Sequence, residues 1–167
     1  MITGGSLTTV STESVEETRA LGRRLAGLLR PGDILLCSGE LGAGKTVLAQ
    51  GLGEGLGVED AVMSPTFVLV RTHEGRLRFY HADLWRLEDA GEILDLSLAE
   101  LVEDAAGAVA FVEWGERAVP VVGPDFLFIE VLVALPGERR LWTFQPSGPS
   151  WEERVEALAG VLAAEGE

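Results

Sequence analysis

With 167 residues, 47% of them apolar, the chain has the size of one compact domain and enough apolar side chains for a sizeable core. A formal net charge of -14 argues against a surface built to grip a nucleic-acid backbone tightly, since that takes clustered Lys and Arg. The single cysteine excludes an internal disulfide. No basic start precedes an apolar run, and no stretch approaches the ~20 apolar residues of a bilayer span, so a cytoplasmic protein without membrane association is expected.

In chain order, Leu7 to Val10 suits a short strand. Ser14-Val15-Glu16-Glu17 has the form of a capping box and opens a helix whose apolar stripe is Val15, Leu21, Leu25, Leu28 and Leu29. Pro31-Gly32 stops that helix. The run Ile34-Leu35-Leu36-Cys37 predicts a strand buried on both faces, with Cys37 as a small core residue at its end. Thr46 to Leu56 predicts the next helix. Further strands are predicted at Phe67 to Arg71, Leu77 to Ala82, Val109 to Val112, Phe126 to Val133 and Leu141 to Phe144. Hairpins are predicted around Glu74-Gly75 and Pro136-Gly137, and a closing helix over Trp151 to Ala164.

Between the strand ending at Cys37 and the helix from Thr46 lies Gly39-Glu40-Leu41-Gly42-Ala43-Gly44-Lys45-Thr46, a complete phosphate-cradling loop. Its glycines let the backbone curl so that successive N–H groups face phosphate oxygens, and the following helix adds its positive N-terminal end. In such a loop Lys45 reaches the β- and γ-phosphates, and the Thr46 hydroxyl ligates the magnesium that bridges them. The expected cofactors are therefore a nucleotide and Mg2+. Lys45 is the only lysine; the other twelve basic residues are arginines. A compact ammonium on a flexible stem fits inside the loop, whereas a planar guanidinium suits exposed phosphates and carboxylates. That one lysine also excludes the Asn-Lys-x-Asp sequence of guanine-specific enzymes, which favours ATP. The expected fold class is α/β, a P-loop NTPase-like mixed β-sheet flanked by helices in three layers, α/β/α. Residues 1–167 are expected to form a single domain, because no repeat, low-complexity segment or linker marks a second.

Such an enzyme needs acids to hold the metal and order water, and Asp83 and Glu113 each end an apolar strand-like run. His81 is read chiefly as a structural histidine, with a proton relay or phosphate contact as the other reading. His73, beside Glu74-Gly75, is read as a surface turn residue. Arg86 is open to two readings, a charge-stabilising arginine near phosphate or an ordinary surface ion pair.

Four ordered segments resemble one family. Gly39 to Thr46, Ser64-Pro65-Thr66-Phe67, His81-Ala82-Asp83-Leu84-Trp85-Arg86 and Glu113-Trp114 are similar in order and spacing to the bacterial TsaE proteins, also called YjeE. These are small P-loop ATPases of tRNA threonylcarbamoyladenosine (t6A37) synthesis. The resemblance implies ATP at Gly39 to Thr46 with Trp114 near the nucleotide, and magnesium on Thr46 and Glu113. It implies a catalytic set of Lys45, Asp83 and Glu113, and a switch-like segment at Ser64, Pro65 and Thr66. It also suggests that the helix near Thr18 and the Arg139-Arg140 hairpin contribute to the adenine pocket, without fixing individual residues. The implied partner is a TsaD–TsaB complex that handles the tRNA, which agrees with the acidic charge. ATPase activity is expected to be low without it. Departures from the family pattern are Glu40 where Asp is usual, Trp85 where Tyr is usual, and Gly115 where Pro is common. Two other readings stay open, a small-molecule P-loop kinase and a nucleotide-gated scaffold whose hydrolysis is incidental.

Overall fold

The structure is a computed structural model that describes residues 6–63, 70–85, 107–134 and 137–164. Strand β1 (Thr8–Thr12) leads into helix α1 (Val15–Ala26). Ser14 caps the helix by accepting the Glu17 N–H, while the Glu17 carboxylate accepts the N–H of Glu13 rather than of Ser14, a capping box shifted by one residue. Strand β2 (Ile34–Ser38) is followed by the glycine-rich loop and helix α2 (Lys45–Gly55). Strands β3 (Val70–His73) and β4 (Arg78–Asp83) form the first hairpin, and β5 (Ala108–Glu113) ends at a 3-10 turn, Gly115–Arg117. Strands β6 (Phe126–Ala134) and β7 (Arg139–Ser147) form the second hairpin, and helices α3 (Pro149–Glu152) and α4 (Val155–Ala163) follow.

All seven strands join one sheet in the order β1-β7-β6-β2-β5-β4-β3. The four central strands β6, β2, β5 and β4 run parallel, and β1, β7 and β3 are antiparallel additions at the two sides. This is the expected mixed sheet flanked by helices. Successive residues of a strand face opposite sides, so Leu35 and Cys37 pack against α1 and α2 with Leu21, Leu25, Leu48 and Leu52, whereas Ile34 and Leu36 face the second core with Val112, Ala118 and Val122. Among the described residues, α1, α2 and α4 share the first face, and the 3-10 turn lies with the second core. Because β2 is buried on both sides, it reads as a continuous apolar run.

The closing helix differs from its prediction. It breaks between Glu152 and Val155, where Arg154 has φ -104 and ψ 9. Arg154 is buried there because its guanidinium grips Asp33 at 2.6 and 2.8 Å and lies 3.9 Å from the Trp151 ring centroid. Strand β7 runs longer than predicted, since all nine of its residues pair with β6. No described helix is long and apolar enough to cross a membrane.

Candidate functional site

Three parallel strands end side by side, and their ends carry the chemistry. Register pairs Cys37 of β2 with Glu113 of β5, and Glu113 with Asp83 of β4. The loop that leaves β2 therefore begins next to two carboxylates delivered by its neighbouring strands. Asp83 and Glu113 are both nearly buried, at 5% and 4% exposure.

The loop's curl depends on left-handed backbone at Gly42 (φ 80) and Gly44 (φ 113). Gly44 is also the N-cap of α2 and supplies no side-chain cap, so the first turn of the helix turns its N–H groups toward the cavity without a side-chain acceptor from that residue. Beneath it lies Trp142, whose ring would stand 3.5 Å from a Cβ at Gly44. The Trp142 indole N–H donates to Thr12 Oγ1 at 3.0 Å, and Thr12 and Thr18 hydroxyls meet at 2.8 Å, so α1, β1 and β7 together support the loop from below. From the hairpin side, Arg140 donates to the Ala43 carbonyl at 3.0 Å.

Lys45 is 5% exposed and curls back over the loop, donating to the carbonyls of Gly39 and Glu40. Its ammonium also lies 4.5 Å from the centroid of the Trp114 ring, within cation–π range. The Thr46 hydroxyl stands 3.0 Å from both carboxylate oxygens of Glu113, and His81 Nε2 lies 2.5 Å from one of them. Asp83 accepts the Trp85 N–H at 3.0 Å, which fixes the turn that leaves β4. Leu41 to Val47, Asp83, Glu113 and Trp114 line one cavity of about 200 Å³. A second, of about 160 Å³, shares Gly42, Ala43, Gly44 and Val47 with it and is completed by Ser14, Val15, Thr18, Glu138 and Arg140. A further cavity of about 500 Å³, between β1, α1 and the end of α4, includes no residue of the loop.

Trp114 is the one non-glycine residue of positive φ among the described residues, at φ 58 and ψ 39. A tryptophan pays strain in that conformation, so the surrounding structure has to hold it there. Two features do. Arg117 packs over the Trp114 ring at 5.1 Å and donates to the carbonyls of Leu84 and Trp85, tying the turn after β5 to the turn after β4. Gly115 lies flat against β2, where a Cβ would come within 2.6 Å of Cys37 N and Leu36 Cα. In this conformation no side chain fits at 115, which gives local meaning to the glycine at that position.

The predicted site residues assemble as follows. Gly39, Gly42, Ala43, Gly44, Lys45, Thr46, Asp83, Glu113 and Trp114 come together, and Glu40 contributes its carbonyl. Leu41 stands at the rim, 85% exposed. Ser64, Pro65 and Thr66 lie outside the described residues, as does Arg86. One reading is corrected: His73 is not a surface turn residue but is 4% exposed at the end of β3, where its ring packs 6.0 Å from that of the buried Phe79 and its Nδ1 lies 2.6 Å from the Asp60 carboxylate. The contacts of His81, Arg117 and Arg140 are the additions that the sequence reading did not place. Cys37 is fully buried; burial pushes its thiol well above its ordinary range, and the nearby Glu113 charge adds to the effect. That suits an inert core residue. Among the described residues no three His, Cys, Asp or Glu side chains group to hold a metal by themselves.

The family model for threonylcarbamoyl adenosine biosynthesis protein TsaE matches residues 12–140. The chain belongs to the TsaE family. A Streptomyces coelicolor tRNA threonylcarbamoyladenosine biosynthesis protein TsaE is 49% identical over 150 residues, which span 85% of this chain and 99% of that protein. The Bacillus subtilis protein of the same name is 37% identical over 149 residues, 89% of this chain and 91% of the relative. The crystal structure of Bacillus subtilis YdiB is similar with a TM-score of 0.79 at 29% identity, covering 96% of this chain and 97% of that one. Membership of the TsaE family implies a role in tRNA threonylcarbamoyladenosine biosynthesis, a pathway in which the protein has partners.

Proposed function

We propose that this chain binds ATP with magnesium at the loop and hydrolyses it, and that hydrolysis serves t6A synthesis through a TsaD–TsaB-like complex rather than through direct contact with tRNA. The observation that carries this reading is the meeting of the Thr46 hydroxyl with both oxygens of Glu113 beside the buried ammonium of Lys45. A hydroxyl, a carboxylate and a lysine at the mouth of a left-handed glycine loop suit a metal–phosphate pair. A hydroxyl and one carboxylate suit magnesium, which keeps several waters and takes one or two carboxylates plus phosphate oxygens. When bound, that ion would neutralise charge building on the β- and γ-phosphates. Thr46 and Glu113 would hold it. Lys45 would leave the carbonyls of Gly39 and Glu40 to contact phosphate, Asp83 would orient the attacking water, and Trp114 would shield the cavity. The adjoining cavity at Thr18, Val47 and Arg140 offers a place for adenine. Ser64, Pro65 and Thr66 would supply the segment that responds to the γ-phosphate.

The net charge of -14 supports action on proteins rather than on a phosphate backbone, and the same reading places the protein in the cytoplasm. The test is phosphate release by the purified chain with and without TsaB and TsaD proteins. Slow release alone and clear stimulation by the partners is the expected result, and no stimulation overturns it. A phosphorylated small-molecule product would point to a kinase instead. Repeated rounds of t6A synthesis driven by a non-hydrolysable ATP analogue would point to a scaffold.

A further inference from the structure

His81 is fully buried and belongs to β4, where Phe79, His81 and Asp83 share one face. Its cross-strand partner is Phe111, and its imidazole reaches diagonally to Glu113, two residues further along β5. The Phe79 and Phe111 rings lie 6.2 and 5.8 Å from it, so the imidazole sits in an apolar slot beneath the site. An ionised carboxylate can only accept, so the 2.5 Å contact to Glu113 requires the proton on Nε2. The other ring nitrogen, Nδ1, is buried and has no partner among the described residues. His73 shows a similar pattern, with Nδ1 on the Asp60 carboxylate and a buried Nε2 unpaired; what sets His81 apart is that the carboxylate it reaches also takes the Thr46 hydroxyl.

We propose that His81 is a positioning residue: its Nε2–H fixes the Glu113 carboxylate in the orientation that presents it, with Thr46, toward the metal. The proposal rests on the ATP–magnesium reading above. An imidazole behind a carboxylate ligand does what outer-shell partners do generally, setting the ligand's rotamer and its hydrogen bonding before the ion arrives. It also explains why an apolar slot holds a histidine where phenylalanine would pack.

Two measurements test it. Binding of a fluorescent ADP analogue is titrated with and without Mg2+ in the native chain, His81→Met and His81→Gln. Met fills the slot without a donor, and Gln places an amide N–H near the former Nε2. The magnesium-dependent gain in affinity should fall about 10- to 100-fold in His81→Met. It should recover most of the way in His81→Gln, while magnesium-free affinity moves far less in either. A His81→Met chain with the native magnesium-dependent gain overturns the proposal. A native chain with no magnesium-dependent binding overturns both the proposal and the reading it rests on. Independently of nucleotide, and whether or not His81→Met folds, 15N-labelled imidazoles are observed in the apo protein. The chain has only two histidines, so removing His73 assigns them. A slowly exchanging Nε2–H on His81 is expected; an Nδ1–H tautomer, or a ring in rapid exchange with solvent, overturns the proposal.

Discussion

Strand β2 carries buried charge at both ends, and the two ends are built differently. Before its first residue, Asp33 meets Arg154 in a bidentate pair, with the two side chains 4% and 2% exposed. Every group there has a partner: Arg154 also donates to Leu28 O, Ser150 O and Ser150 Oγ, and Asp33 accepts the Arg30 N–H. Beyond its last residue, Lys45 rests on loop carbonyls and Trp114 is held in a left-handed conformation. A saturated network of this kind locks one arrangement, whereas backbone strain at a non-glycine residue is a feature that clusters at ligand sites. The contrast assigns stability to one end of the strand and function to the other.

The sharpest way to break that assignment is to cut the saturated end. Asp33→Asn leaves the Arg154 guanidinium buried without its counter-charge, and the loss should be about 3–5 kcal/mol of stability, the usual cost of removing one partner of a buried pair. Chemical denaturation should show this as a lower midpoint. Nucleotide affinity measured well below that midpoint should stay within a fewfold of the native chain. A large loss of affinity in the folded variant would mean that the two ends are not separable.

The converse change acts at the unsaturated end. Lys45→Ala removes the ammonium from the loop and should lower nucleotide-dependent turnover by about 10²–10³-fold, comparable to deleting one donor from a preorganised anion site. Its denaturation midpoint should remain close to native, because the two carbonyls that Lys45 engages belong to the half-buried Gly39 and the exposed Glu40, within reach of solvent. Lys45→Arg should also fail, since a planar fork does not fit where a compact ammonium curls back. Turnover at the native rate in either variant would remove Lys45 from the site.

These two ends also differ in how far the sequence discloses them. The phosphate cradle is legible because eight contiguous residues build it, and a strand and helix on either side confirm its context. From local pattern alone, Asp83 and Glu113 are legible as acids ending strands, and it is the resemblance to a family that gives them roles. That they become neighbours follows from the β4–β5 register, which local periodicity does not encode. The role of His81 is a step further removed, since it depends on a diagonal contact across that same register. The burial of His73 is not legible because it depends on the packed fold, which sets its ring beside Phe79 and its Nδ1 on Asp60, thirteen residues earlier. The break at Arg154 depends on Asp33, 121 residues away, and no helix-stop signal marks it. The saturated end is thus the less legible of the two, because its partners are brought together only by the completed fold.

The smallest expected effect lies between the ends, at Cys37, the last fully buried residue of β2 and the register neighbour of Glu113. Burial, reinforced by the Glu113 charge, raises the thiol's pKa in the folded chain, so the native state retains its proton where the unfolded chain releases it. Stability from this group is therefore fully present below the unfolded value of about 8.5 and is lost as pH rises from there toward the folded value. Denaturation midpoints measured between pH 7 and pH 10 should fall at the alkaline end, and Cys37→Ala should flatten part of that slope while creating only a small cavity. In the native chain a thiol reagent at pH 8 should react no faster than the protein opens, so the labelling rate should follow denaturant concentration. Rapid labelling under native conditions would show that β2 is accessible next to Glu113, and the division between a closed structural strand and an open functional edge would then have to be redrawn at Cys37.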